Sequence, residues 1–341
     1  MLCRTGFYSN GNISTQRTDL NSLAVYTTLA EWQVHLLLQE YNIGDLISFE
    51  GIQQGISNTN YILETTQSRF VLTLIEQPLS TSFPFIFNLM KALSAKGLPC
   101  PEIMETEQGS LWSFLSGKPI VLARAMPGAS LFSPTCSHCA QLGELLGTLH
   151  LAARHFPLQR NNPLGRQWAK TTAANLLPVI AQTEKKTLEA FLPLLLKVSD
   201  MNLPTGVIHG DVFRDNIFFE QGVISAVLDF YFACTDMLIL DLATSVLDWC
   251  QSPDGRFETN KVTALVTAYQ KVRPMTPAEI RAWPLMMQVV IARFWLLRLQ
   301  CKYTPRQTNQ MLPFSRSPER MQAMFASTEA FPALTCYAEC L

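Results

Sequence analysis

Charge is scarce in this chain. Only 16% of its 341 residues are Asp, Glu, Lys or Arg, while 48% are hydrophobic and 10% aromatic. Globular proteins average about 25% charged residues, so the composition favours a large buried core. It excludes disorder, which needs low hydrophobicity and a large net charge. Neither sign is in excess: Lys+Arg 26 against Asp+Glu 27 leaves a net charge of −1. No general field attracts nucleic acid, and an anionic ligand has to be met by locally placed donors. An uncharged apolar run of about 18 residues, the length of a membrane span, is also missing. The tract PLMMQVVIARFWLLRL is broken by Arg293 and Arg298, and AVLDFYFACTDMLILDLATSVLDWC holds four aspartates. Residues 1–22 have no apolar centre, so a secretory signal is not expected and the stretch reads as a loose polar extension. The nine cysteines follow no spacing framework and are odd in number, which points to reduced thiols and a cytoplasmic protein. Cys136, His138 and Cys139 supply three of the four ligands of a structural zinc. The only other close pair, Cys336 and Cys340, lies near the C-terminus, and a helix start after Ser133-Pro134 explains the cluster better.

The apolar spacing implies alternating textures. Residues 23–44 carry a helical pattern with Leu29, Trp32 and Leu36 on one face, closing at Gly44. Residues 45–77 read as three short strands with turns at Gly51, at Gly55 and around Thr66–Ser68. Residues 84–97 return to helix, and a further hairpin runs through Gln108-Gly109 and Gly117. From Pro127-Gly128 onward the strand signal fades; residues 136–156, 167–200 and 236–301 read as helix, with a loop and short strands over 207–228. The expected organisation is an extension (1–22), a sheet-rich lobe with a helix (23–124) and a larger helical lobe (125–341), hinged at Arg124–Gly128.

The chemistry is concentrated in VIHGDVFRDNIFFEQGVISAVLDFYFACTD, residues 207–236. His209-x-Asp211, four residues and then Asn216 are followed, one hairpin later, by Asp229. That order and spacing match the catalytic loop and metal aspartate of protein-kinase-like phosphotransferases. Phosphoryl transfer asks mainly for position and charge compensation. One carboxylate faces the attacking hydroxyl, while a second carboxylate and an amide oxygen hold Mg²⁺ on the other side of the γ-phosphate. Asp211 fits the first role, and Asn216 and Asp229 the second. His209 suits a packed residue bracing the loop better than a proton carrier. Arg214 is grouped with His209 and Asp241 as support for the loop, its guanidinium read either as a contact for a phosphate or a substrate carboxylate or as a solvated loop charge. Asp241, opening DLATSVLDW, is placed to anchor the loop through backbone N–H groups, and Asp236 and Asp248 take a structural reading as well.

Several tracts, among them EGIQQGISNTNYIL, RFVLTL, RNNPLG, VIHGDVFRDNIFF, LDFYFACTDMLILDLA and LDWC, make the chain resemble the aminoglycoside-phosphotransferase and choline-kinase superfamily. Within it the chain looks most like the bacterial homoserine kinases of that fold, over about residues 24–325. The resemblance implies an α+β, protein-kinase-like bilobal fold with a small antiparallel-sheet N-lobe and a helical C-lobe. It implies ATP- and Mg²⁺-dependent phosphorylation of the L-homoserine hydroxyl, in threonine biosynthesis, by Asp211, Asn216 and Asp229. Gly51 to Tyr61 resembles the nucleotide-covering loop, with Gly51 and Gly55 allowing close approach and Ser57, Asn58, Thr59 and Asn60 near the phosphates. Two departures stand out. The third strand has Thr73 where many relatives place a phosphate-binding lysine, and Gln77 where homoserine kinases often carry a basic residue. Lys91, Lys96 and Lys118 are substitutes, and Gly210 stands where that family usually has Ala. For a zwitterionic substrate, Arg160, Arg166 and Arg293 are candidate cations, Asp236 a candidate acid and Tyr231 a candidate wall. Kinases of choline, hydroxylysine or aminoglycosides, and a non-catalytic nucleotide-binding protein, are the alternatives.

Overall fold

The computed structural model describes residues 27–52, 58–76, 80–198, 201–252, 255–303, 318–326 and 334. The expected extension 1–22, Gly55, Ser57, Gln77, Cys336 and Cys340 lie outside them.

The N-terminal lobe is built on a five-stranded antiparallel sheet in the order β1-β2-β3-β5-β4. Its strands are β1 (Leu46–Ile52), β2 (Thr59–Thr65), β3 (Arg69–Leu74), β4 (Ser113–Leu115) and β5 (Lys118–Arg124). Each strand alternates its faces. Tyr61, Leu63, Phe70, Leu72, Leu74, Ile120 and Leu122 pack with helix α1 (Glu31–Leu38) in one core. Two expectations fail here. Gly51 is not a turn residue but pairs with Tyr61 inside β1. The α1 face is also different: Val34, Leu37 and Leu38 are buried, while Trp32 is 67% and Leu36 56% exposed. In so short a helix apolar side chains occur all round, so the spacing alone does not choose the packed side.

The opposite face of the sheet does not form a separate core. Ile75 and Val121 join a cluster that takes in Phe83, Phe85, Ile86, Phe87 and Leu89 of α2 (Phe83–Ala95) and continues through the whole C-terminal lobe. That lobe contains α3 (Cys136–Ala152), α4 (Arg166–Leu176), α5 (Gln182–Lys197), α6 (Ile239–Trp249), α7 (Thr259–Val272), α8 (Pro277–Tyr303) and α9 (Pro318–Ala326). Thr135 caps α3 by accepting from the His138 N–H, and among the described residues no group of three or more His, Cys, Asp or Glu side chains is arranged for a metal. Helix α8 has the length and composition to cross a membrane, but 67% of its most apolar stretch is buried in the lobe, where it packs on α4, α5, α6 and α9.

Small β pairs carry the loops. β6 (Ala129–Ser130), β8 (Ile217–Glu220) and β9 (Val223–Val227) form one sheet, and β7 (Thr205–Ile208) pairs with β10 (Cys234–Met237). Gln221 and Gly222 turn the β8–β9 hairpin with φ of 51° and 80°, the twist that suits a tight hairpin.

Candidate active site

The loop after β7 carries His209, Asp211 and Asn216, and helix α6 holds it from below. Asp241, with no exposed surface, accepts from the His209 N–H at 2.7 Å and the Gly210 N–H at 2.8 Å. Seven and eight residues later, on the same helix face, Asp248 accepts the Arg214 N–H at 2.8 Å and Trp249 Nε1 donates to the Val212 carbonyl at 3.1 Å. Three side chains of one helix thus fix the loop at both ends and in the middle. Arg214 is committed to this frame: Nε meets Asp248 at 3.2 Å and one terminal nitrogen donates to the Phe132 carbonyl at 2.7 Å. Arg214 is thus a support of the loop.

Asp241 is held in turn by a buried chain that the sequence reading missed. His150 Nε2 lies 3.2 Å from Asp241, His150 Nδ1 lies 2.9 Å from the Tyr269 hydroxyl, Arg273 donates to that hydroxyl at 2.9 Å and to Glu279 at 2.8 Å. Arginine only donates and an ionised carboxylate only accepts, so Arg273 donates to the Tyr269 hydroxyl and His150 Nε2 donates to Asp241, with His150 Nδ1 and the Tyr269 hydroxyl joining the two ends. Burial alone would raise the Asp241 carboxyl, but the bonds from His150 and the loop outweigh it and hold the group below the usual carboxylate range.

Asn216 Nδ2 donates to the Asp211 carbonyl at 2.8 Å and to Asp211 Oδ2 at 3.0 Å. Its amide oxygen therefore points away from Asp211. The Asn216 carbonyl accepts the Leu228 N–H at 2.8 Å, which brings the next residue, Asp229, beside it. Asp229 has a left-handed backbone, φ 61° and ψ 65°, a conformation that costs a non-glycine residue about 1–2 kcal/mol and is concentrated at functional sites. Loss of hydration in the cleft raises its carboxyl above the usual range, against the opposing pull of His209 and the Tyr231 N–H. An outward-facing amide oxygen and an underpaired carboxylate are hard oxygen donors of the kind Mg²⁺ takes along with phosphate and water. His209 is fully buried, its Nε2 donates to the Leu228 carbonyl at 2.9 Å, and its Nδ1 accepts the Asp211 N–H at 3.3 Å. Burial lowers its pKa, so it braces the loop as a neutral ring.

Arg160 is turned to the backbone after Asp229, one nitrogen donating to the Tyr231 and Ala233 carbonyls, both at 2.7 Å. It braces the turn, which corrects its candidacy for a substrate carboxylate. Tyr231 sits in that turn, half-buried, with its hydroxyl pKa raised by its surroundings. Arg166, Asp236 and Arg293 come together at a small recess beside β10 and the start of α4.

Gly210 has φ +81°, and a Cβ there would lie 2.7 Å from the Phe232 carbonyl oxygen. Alanine is therefore no mild change in this chain. Gly210→Ala should cost about 2 kcal/mol from backbone strain alone, lower Tm by on the order of 5 °C and reduce kcat; a variant melting and turning over like wild type would refute that.

The phosphate-loop expectations divide by strand face. Asn60, Thr73 and Val121 lie opposite one another on successive strands, so they share the side turned to the C-terminal lobe. Thr73 donates to Asn60 Oδ1 at 2.7 Å, so a neutral pair occupies the place expected for a lysine. Thr59 and Asn58 are corrections: Thr59 donates to Glu76 at 2.7 Å and Asn58 accepts the Glu76 N–H at 3.2 Å. Thr59 lies on the α1 face, one residue out of phase with Asn60. Lys118, also on that face, pairs with Glu76, Lys91 pairs with Glu105, and Lys96 donates to the Ala152 carbonyl. Each of the three substitutes thus has a partner of its own.

A family model described as the phosphotransferase enzyme family matches residues 48–275. The chain is 38% identical over 284 residues to a homoserine kinase of Methylobacillus flagellatus, covering 83% of this chain and 89% of that protein. It is 34% identical over 305 residues to a homoserine kinase of Neisseria meningitidis serogroup B, covering 89% and 99%. Among solved structures it resembles an amicoumacin kinase in complex with AMP-PNP and Ca²⁺, with a TM-score of 0.66 at 16% identity over 88% of this chain and 92% of that one. A spectinomycin phosphotransferase in complex with ADP gives 0.63 at 13% identity over 89% and 100%.

Proposed function

Since the chain belongs to the phosphotransferase enzyme family, we propose that it transfers the γ-phosphoryl group of ATP to the side-chain hydroxyl of L-homoserine. The product is O-phospho-L-homoserine, and the reaction is a step of threonine biosynthesis. The substrate follows from the homoserine kinases to which most of the chain is related. The observation that carries the chemistry is the linkage of Asp211, Asn216 and Asp229 through the Asn216 amide and the Asn216–Leu228 backbone bond.

In this reading Asp211 accepts the hydroxyl proton as the oxygen attacks the γ-phosphorus, and ADP departs on the opposite side. The Asn216 amide keeps the Asp211 carboxylate in one orientation. Asn216 Oδ1 and the Asp229 carboxylate hold Mg²⁺, which, when bound, offsets charge on the phosphates. The nucleotide lies between the lobe of residues 23–124 and that of 125–341, against the side of the sheet that carries Asn60 and Thr73. Its phosphates depend on backbone groups and Mg²⁺ rather than on a strand lysine, since Asn60 and Thr73 occupy that place. The scattered, unframed cysteines favour the cytoplasm as its compartment.

A coupled ADP-release assay offering L-homoserine, choline, hydroxylysine and kanamycin separates the alternatives. Turnover with L-homoserine at a kcat/KM at least about a hundredfold above the other three is expected. Preference for any of the others would overturn the substrate, and turnover of none of them would overturn the reaction.

A further inference from the structure

Arg293 lies in the middle of α8 with 6% of its surface exposed, where a guanidinium is costly unless its five N–H donors are satisfied. Its nearest carboxylate, Asp236, is 3.9 Å away, beyond hydrogen-bond length, and its Nε meets no acceptor among the described residues. Burial accordingly lowers its pKa. Asp236, for its part, accepts from Asn162 Nδ2 at 2.5 Å and from the Met237 N–H at 2.8 Å, leaving lone pairs on both oxygens.

Both side chains line one recess with Leu164, Gly165, Arg166 and Met237. Gly165 is the N-cap of the eleven-residue helix α4 and offers no side-chain acceptor to its first turn, so the positive end of the helix dipole faces the same space. Asp236 is on β10, opposite Gly206 of β7, and β7 leads directly into the loop bearing Asp211. The recess thus lies beside the strand pair from which the catalytic loop emerges.

We propose that this recess is the subsite for the amino-acid head of the substrate: the α-carboxylate is taken by Arg293, with Arg166 at the mouth, and the α-ammonium by Asp236. It rests on the functional reading above and deepens it. An underpaired guanidinium and a carboxylate too far apart to satisfy each other can both be satisfied by one zwitterion between them. Choline, which has no carboxylate, leaves Arg293 as it was, so the subsite selects against it by leaving a buried guanidinium underpaired. The planar fork of arginine suits a carboxylate in two-point contact, which a lysine at 293 would not reproduce.

The test compares L-homoserine with 3-aminopropan-1-ol, which is homoserine without its carboxylate, in wild type and in Arg293→Met. Wild type should prefer L-homoserine by about a thousandfold in kcat/KM, and Arg293→Met should lose about a hundredfold or more on L-homoserine but less than about threefold on the amino alcohol. Equal losses on both substrates, or no loss on either, would overturn the assignment. Arg293→Met replaces an underpaired buried charge by an apolar chain of similar length, so its Tm should be kept. Should it not fold, wild type alone decides: L-2-aminobutyrate, the same head without the hydroxyl, should raise Tm at millimolar concentration, and neither propylamine nor butyrate should. Failure of L-2-aminobutyrate to stabilise wild type sinks the subsite, whereas stabilisation without turnover of L-homoserine keeps the subsite and sinks the reaction.

Discussion

Asp211→Asn should lower kcat for L-homoserine phosphorylation by about a thousandfold or more while leaving the affinity for an ATP analogue within about threefold of wild type. The substitution keeps the size of the side chain and an oxygen that still accepts from Asn216 Nδ2, now 3.0 Å from Asp211 Oδ2. What it removes is the ability to take a proton. Because the oxygens assigned to Mg²⁺ belong to Asn216 and Asp229, nucleotide binding should be spared. ADP release under saturating substrate, with titration calorimetry of the analogue, reads both quantities. Wild-type turnover would remove Asp211 from the reaction, and loss of nucleotide binding would move it to the metal site.

Asp241→Asn is expected to be as damaging by a different route. Asp241 accepts from two loop N–H groups and from His150 Nε2 with no exposed surface. An amide in its place has one accepting oxygen and must turn its own N–H₂ toward at least one of those donors. Breaking a buried, hydrogen-bonded charge commonly costs about 3–5 kcal/mol, which here corresponds to a fall in Tm of roughly 10 °C. The sign with pH follows from the depressed carboxyl: the stabilisation is fully present above the unfolded-state value of about 3.9 and is lost as pH falls through the lower folded-state value. So the gap in Tm between wild type and variant should be constant near neutrality and close in strong acid. Differential scanning calorimetry across pH measures it. A pH-independent gap extending into strong acid would mean that the charge on Asp241 is not what anchors the loop.

The contrast between these two aspartates shows what a one-dimensional pattern conveys. Asp211, Asn216 and Asp229 were legible because a short loop and a hairpin fix their mutual position through local geometry. The role of Asp241 was legible too, as an acid opening a helix after that loop. Its supports were not. His150 sits 91 residues from Asp241 in a helix of apolar neighbours, where a histidine looks like any core residue. Tyr269, Arg273 and Glu279 lie further on, on two other helices and the turn between them. Asp248 and Trp249 had a signal that could have been used, since positions seven and eight residues after Asp241 return to its helix face. The strand alternation that separates Thr59 from Asn60 was likewise present in the sequence, but its phase is fixed only when Tyr61 and Leu63 are seen to pack against α1. The α1 face itself was misjudged because Trp32 and Leu36 are as apolar as the residues that are buried. Which arginine turns inward is set by helices meeting in three dimensions: Arg160 is spent on two carbonyls and Arg293 is not.

The helix after β3 has a consequence for how the molecule holds together. Phe83, Phe85, Phe87 and Leu89 belong by position to the sheet-bearing half, but their burial is completed by the helical half. The connection between the halves is also pinned: Ser225 donates to the Pro127 carbonyl at 2.7 Å, and a Cβ on Gly128 would collide with the Phe219 carbonyl oxygen at 2.5 Å. Severing the polypeptide at that connection would leave neither fragment self-sufficient, one with a row of bare phenylalanines and the other with the sockets that receive them. Loss of structure in one half must therefore be felt in the other.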